Sequence, residues 1–236
     1  MNYDLIFKKA KELLSNNPTS WEFCEKSIKI EGTVYPLLPW RYNRQLTEIR
    51  NLAIKNKTLR DICSYKSQRF ETCDANIYTL LFEELDVCEW LLDDKIISVF
   101  ADINSEKYIT IVLKTQRGIL CNIIISTTLP SGTKPITKHE IVGKEGMLSE
   151  RPINIQIPED AIYLFSQKKC EAYTDMDLYM LGLNPKEVMA VDNIIDLVRN
   201  KPSITTHENN IKRNKYLLSC VKKSAKKGNI VVVGGI

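Results

Sequence analysis

The stretch Ile77-Tyr78-Thr79-Leu80-Leu81-Phe82-Glu83-Glu84-Leu85-Asp86-Val87-Cys88-Glu89-Trp90-Leu91-Leu92 is where the chain's periodicity changes. Ile77, Leu80, Leu81, Leu85, Cys88 and Leu92 recur at three- and four-residue spacing, the stripe of a helix that buries one side. Asp74 is the expected N-cap, since its carboxylate can accept from the first orphan amides. Beyond Leu92 the pattern shifts to runs of two-residue alternation: Ile96 to Ile103, Tyr108 to Lys114 and Ile119 to Thr127. In the middle pair Ile109, Ile111 and Leu113 alternate with Tyr108, Thr110 and Lys114, and Gln116-Arg117-Gly118 supplies the turn of an antiparallel hairpin.

Working outward, Tyr3 to Leu14 reads as a short amphipathic helix stopped by Asn16-Asn17-Pro18. Thr19 to Thr33 lacks a clear period and reads as an irregular or hairpin segment. Val34 to Leu38 is a strand closed by Pro39, and Asn43 to Lys55 is helical, with Leu46, Ile49, Leu52 and Ala53 on one side. Leu59 to Phe70 is extended. Further strands are expected at Lys138 to Val142, Asn154 to Ile157 and Ala161 to Phe165. Two helices, Pro185 to Arg199 and His207 to Ala225, precede a last strand, Ile230 to Val233. Helices at both ends around a block of strands predict an α+β fold, a mostly antiparallel open sheet covered on one face by helices. Its uncovered face calls for a partner, most simply a second copy. Residues 1–33 form an N-terminal helix and irregular segment, and residues 34–236 the α+β domain.

Composition is that of an ordinary globular protein, 44% hydrophobic and 26% charged, with a net charge of +4. A chain of 236 residues buries most of its surface without disulfides or metal. The seven cysteines form no C-x-x-C pair and there are only two histidines, His139 and His207, so neither a zinc site nor a secreted disulfide framework is expected. The basic run from Lys212 to Lys227 contains one aromatic, Tyr216, and reads as a solvated helix face rather than a nucleic-acid surface. No apolar run approaches membrane-span length, and Met1 to Leu14 lacks a signal core. A cytoplasmic protein with no nucleic-acid or membrane partner is expected, and its Lys-, Asn- and Ile-rich composition suggests an AT-rich bacterial genome.

Three features bear on chemistry. Val231-Val232-Val233-Gly234-Gly235-Ile236 has the look of a dinucleotide-binding strand and turn, but such a site needs a following helix to hold the pyrophosphate, so an edge strand is expected. Glu83 and Asp86 sit at i,i+3, a spacing that suits acid/base work in a cleft, although a solvated acidic helix face is the simpler reading of Glu83, Glu84, Asp86 and Glu89. Arg41 and Tyr42 follow Pro39-Trp40 at a strand-to-helix junction, where side chains often enter a site, and a buried structural arginine is an equally good reading of Arg41. His139 and His207 have no neighbours suggesting a triad and read as surface or packed residues.

The order of several segments resembles the C-terminal domain of the glucose–fructose oxidoreductase / inositol dehydrogenase (Gfo/Idh/MocA) family. Trp40-Arg41-Tyr42 and Leu59-Arg60-Asp61-Ile62 look like its arginine, helix and return strand. Leu81-Phe82-Glu83-Glu84-Leu85-Asp86 through Trp90-Leu91-Leu92 resembles its H-x-x-D helix. Ile97-Ser98-Val99-Phe100-Ala101 and the Gly118 hairpin fit its sheet, His139 to Gly146 its I-x-G-x-x-G turn, and Ser224 to Gly228 its C-terminus. The likeness spans roughly Val34 to Val233. It implies an NAD(P)-dependent oxidoreductase ancestry, yet no G-x-G-x-x-G precedes Val34, and Glu25-Lys26-Ser27 only echoes the family's E-K-P lysine. The motif's histidine is replaced by Glu83, while its aspartate remains as Asp86, so no catalytic set is intact. The chain is therefore expected to bind no cofactor or metal on its own. A non-catalytic role in ligand binding or subunit assembly follows, with Arg41, Tyr42, Glu83 and Asp86 as substrate-binding candidates for a small-molecule ligand. A homodimer through the open sheet, or pairing with a full-length family member, is the expected assembly. The alternative is the substrate-domain subunit of a split NAD(P)-dependent oxidoreductase whose Rossmann domain is a separate chain that supplies NAD(P).

Overall fold

The computed structural model describes residues 2–24, 26–150, 161–166, 170–174 and 183–234, with backbone alone over 161–166 and 170–174. The chain forms two compact units, Met1–Thr47 with Asp175–Ile211, and Glu48–Thr174 with Lys212–Ile236.

In the first unit, α1 (Tyr3–Leu13) is capped by Asn2, whose side chain accepts from Leu5 N. The segment Thr19–Thr33 supplies β1 (Trp21–Cys24) and β2 (Ser27–Ile30), and the strand expected from Val34 is β3 (Thr33–Pro36), the three forming an antiparallel sheet. Short strands with tight turns give too few residues for a period to show. A single helical turn, Pro39–Tyr42, follows, and α4 (Pro185–Asn200) begins with a reciprocal cap between Asn184 and Glu187. Ile6, Ala10, Ile28, Ile30, Val191, Ile194 and Val198 form the shared core of this unit.

The second unit is built on a nine-stranded sheet among the described residues. It contains β4 (Ile62–Thr72), β5 (Ile96–Ser105), β6 (Tyr108–Thr115), β7 (Leu120–Leu129), β8 (Ile136–Gly143), β9 (Gly146–Ser149), β10 (Ala161–Ser166), β11 (Cys170–Thr174) and β12 (Val231–Val232). Their order is β11-β10-β9-β8-β4-β7-β6-β5-β12, and every pairing is antiparallel except β4 with β7. Among the described residues the Val231-Val232 segment lies at the edge of the sheet, paired with β5. The expected strand at Asn154 to Ile157 lies outside the described residues.

The helix α3 (Ile77–Leu92) and residues Lys212–Lys227 of α5 (Ile204–Lys227) lie on one face of this sheet. Alternation decides which side chains they cover. Ile109, Ile111 and Leu113 on β6 and Cys121, Ile123 and Ile125 on β7 are buried, whereas Val112 and Leu120, which point the other way, are exposed. The expected helix at Asn43–Lys55 is α2 (Arg44–Arg50) continued by a wider turn, Asn51–Lys55, in which Asn56 N reaches Asn51 O at 2.9 Å.

Two corrections concern α3. Its N-cap is Asn76, whose side chain accepts from Tyr78 N and Thr79 N, and not Asp74. Asp74 lies two residues earlier and accepts instead from Ser131 Oγ at 2.9 Å. The acidic residues of α3 do not form a solvated face either: Glu84, Asp86 and Glu89 are all buried. Burial of a carboxylate requires compensating partners, and those partners define the site described next.

Candidate functional site

On the helix-covered side of β4, alternation places Tyr65, Ser67, Arg69 and Glu71 in one row. Such a row would ordinarily be apolar. Here it is polar after Tyr65, and α3 answers it with Glu83 and Glu84. Arg69 bridges both carboxylates, with Nη1 at 2.7 Å from Glu83 Oε2 and 3.2 Å from Glu84 Oε1, while Nη2 lies 3.3 Å from Glu71 Oε1. Ser67 Oγ donates to Glu84 Oε2 at 2.5 Å.

The register of β4 with β8 sets His139 opposite Ser67. The imidazole Nε2 lies 3.1 Å from Glu84 Oε2 and Nδ1 lies 2.8 Å from Glu150 Oε1, while the Tyr65 ring stacks on it at 6.3 Å. Burial would lower the pKa of His139, but the carboxylates of Glu150 and Glu84 outweigh it and raise the pKa to about 10. Glu84 responds in the opposite sense. Burial would raise its pKa, and His139, Arg69 and Ser67 together hold it down at about 2. At neutral pH this is a chain of two cations, Arg69 and His139, among the carboxylates of Glu71, Glu83, Glu84 and Glu150.

The residues anticipated from sequence fall into different places. Glu83 is half-buried and engaged by Arg69. Asp86 is buried and accepts from Asn214 Nδ2 of α5 at 2.5 Å. The two members of the i,i+3 pair thus engage different partners, Arg69 on β4 and Asn214 on α5. Arg41 and Tyr42 belong to the first unit, where the Tyr42 hydroxyl donates to Asp196 Oδ2 at 2.5 Å, and its pKa is raised by burial and by that carboxylate. Nearby, Asn193 Oδ1 accepts from Leu38 N at 2.7 Å, a buried bond that fixes the entry to the Pro39–Tyr42 turn. His139 and His207 are both packed, the latter against Pro36 O at 2.5 Å.

Arg69, Ser67, Glu71 and Glu150 were missed. Their signal was the even spacing of Tyr65, Ser67, Arg69 and Glu71 along an extended segment, which marks one face of a strand. Among the described residues no group of three or more His, Cys, Asp or Glu side chains is arranged to hold a metal ion, and no helix is long and apolar enough to cross a membrane.

No family model matches this sequence, and no curated protein does. Solved structures do match in fold. Levoglucosan dehydrogenase, solved in complex with NADH and L-sorbose, aligns with a TM-score of 0.64 at 13% identity over 84% of this chain and 65% of its own. An oxidoreductase domain protein from Kribbella flavida gives 0.60 at 11% identity over 84% and 65%. The myo-inositol 2-dehydrogenase of Lactobacillus plantarum gives 0.59 at 13% identity over 84% and 64%. The fold is similar to that of these oxidoreductase and dehydrogenase structures, and the chain spans just under two thirds of the length of these matched chains.

Proposed function

We propose that this chain is an assembly subunit of the Gfo/Idh/MocA C-terminal-domain type, not catalytic on its own, which pairs through the open face of its nine-stranded sheet with a second copy or a full-length family member. The observation that carries this reading is exposed apolar surface on that face: Phe100 (41% exposed) and Val112 (41%) are cross-strand partners, and Leu120 (56%) lies one same-face position along β7 from the residue opposite Val112. Covering large apolar side chains that stand in water on a sheet face is favourable by about 25 cal/mol per Å² buried. The ligand-binding alternative has less support. Tyr42, Glu83 and Asp86 each already have a protein partner, and Glu83, at the position of the family's acid/base histidine, has its Oε2 occupied by Arg69.

Sedimentation of the purified chain tests the reading, with Leu120→Glu and Val112→Glu as face variants. A dimer that these charges dissociate is the expected result. A wild-type chain that stays monomeric at about 100 μM, and that also fails to retain a full-length homologue, would remove the proposal. A nicotinamide-dinucleotide titration is expected to give no binding, and tight binding by the chain alone would sink the non-catalytic part.

A further inference from the structure

The helix-covered side of the second unit carries a concentration of charge that the assembly reading does not use. After Glu208 the chain contains no Asp or Glu. Over Lys212–Lys227 of α5 the exposed residues are Ser219 and six lysines, Lys212, Lys215, Lys222, Lys223, Lys226 and Lys227. With Arg213, this stretch holds seven of the chain's 33 Lys and Arg and none of its 29 Asp and Glu, which leaves 26 against 29, a net of −3, for all other residues. The positive balance of the protein therefore comes from one helix segment.

Exposed helices usually mix signs, because like charges three or four residues apart repel. In α1, Lys9 pairs with Glu12 at 2.9 Å, and α4 sets Asp192 and Asp196 between Lys186 and Arg199. On α5, by contrast, Lys222 and Lys226, and Lys223 and Lys227, stand as like charges at i,i+4. The helix dipole favours Lys226 and Lys227 in the last turn but gives no reason for the other four. The face is also held firmly. Leu217, Cys220, Val221 and Ser224 are buried beneath it, and Asn214 donates to Asp86.

The lysines form two rows. At about 100° per residue, Lys215, Lys222 and Lys226 fall on one shoulder of the helix, Lys212, Lys223 and Lys227 on the other, and Ser219 on the crest between them. A helix with its side chains is about 10–12 Å across, which matches the major groove of B-DNA at about 12 Å. Lys222 Nζ rests over the Tyr78 ring at 4.3 Å, a contact that places the ammonium without neutralising it.

We propose that the outer face of α5 docks on double-stranded DNA, its two lysine rows meeting the phosphate backbones on either side of one major groove. Contacts to phosphate fix position and carry no sequence information. The sequence expectation of a merely solvated face rests on the lack of interleaved aromatics, but aromatics serve to stack unpaired bases, and a duplex offers none. Lysine is depleted at protein interfaces, and a flat anionic membrane would meet the crest at Ser219 before either row. The open face of the sheet lies on the other side, so this inference is independent of assembly through it.

Fluorescence anisotropy of the full chain with two unrelated duplexes of about 20 base pairs tests it. Both should bind alike, with a Kd of about 1–100 μM near 0.15 M salt and a log–log salt slope no steeper than about −5, six phosphates at about −0.9 each. The triple variant Lys223→Gln/Lys226→Gln/Lys227→Gln should weaken binding about tenfold or more and make the slope shallower by about 3. It should stay folded by circular dichroism, since the ammonium groups removed are exposed and repel one another. Lys8→Gln/Lys9→Gln/Lys11→Gln on α1 removes the same charge and should change the Kd by less than about threefold. Equal losses in the two variants, or equal affinity for a single strand of the same sequence, would refute docking by the two rows. The proposal also fails if no duplex binds, or if phosphatidylserine vesicles bind through α5 and duplexes do not.

Discussion

Raising the pH should strip stability from this protein through one residue, His139. Its folded-state pKa of about 10 lies above the ordinary 6.5, because Glu150 and Glu84 flank both ring nitrogens and outweigh burial. A raised folded-state value means that the native state holds the proton more tightly than the unfolded chain does. The stabilisation is therefore complete below about pH 6.5 and lost progressively as pH rises toward 10. At about 1.4 kcal/mol per pH unit, the whole span amounts to roughly 5 kcal/mol, and the part between about pH 6 and 9.5 to about 4 kcal/mol. The assay is urea unfolding across that range for the wild type and for His139→Gln, whose neutral amide cannot hold the proton. The wild type should lose about 4 kcal/mol more than the variant over the range, which removes the contribution of thiols and other groups common to both. Should His139→Gln prove too unstable to study, Glu150→Gln removes one of the two carboxylates and should reduce the same slope. Parallel pH profiles for wild type and variant would refute the protonated, doubly bridged histidine.

Other perturbations probe neighbouring parts of the same framework. Arg69→Met should cost about 3–5 kcal/mol in chemical denaturation by removing the cation that bridges Glu83 and Glu84, and adding Glu83→Gln should recover part of it. Asn193→Ala, which leaves the buried Leu38 amide without its acceptor, should lower stability by about 1–3 kcal/mol, read as a fall in thermal midpoint. Gly143→Ala should destabilise by several kcal/mol, on the order of the larger single-residue effects, because a Cβ there would come within 2.5 Å of the Leu59 carbonyl oxygen. An Ala variant at Gly143 with unchanged stability would show that the β8 end and the Leu59 turn separate easily.

The order of elements was legible because the apolar residues set it. Ile109, Ile111 and Leu113 alternate as a strand must, Gly118 turns the hairpin with φ of +88°, and the α3 stripe buries as its spacing implies. What sequence reasoning could not see was partnership across distance. Glu84, Asp86 and Glu89 look like a solvated face when only their own helix is considered, since carboxylates are rarely buried unpaired. Their partners, Arg69, Asn214 and Arg213, lie 15, 128 and 124 residues away in the chain. No periodicity within a single element records such a pairing. The parallel contact of β4 with β7 was hidden for the same reason, because strand direction depends on the α3 crossover and the intervening hairpin rather than on side-chain pattern.

The polar row on β4 also limits what this fold can do. In a sheet covered by helices, a row of Ser67, Arg69 and Glu71 is stable only if every charge finds an opposite within reach, and the side chains of Glu83, Glu84 and His139 are what satisfy it. Groups committed in this way resist the changes of protonation that turnover demands: His139 holds its proton to about pH 10 and Glu84 gives its own up near pH 2. A residue that shuttles protons at neutrality needs a pKa near the working pH. The network thus fixes α3 on the sheet and leaves neither group poised for acid/base work, while the opposite face keeps Phe100, Val112 and Leu120 in solvent. A charge network that ties α3 to the sheet on one side and exposed apolar side chains on the other are the two features on which the proposed assembly role rests.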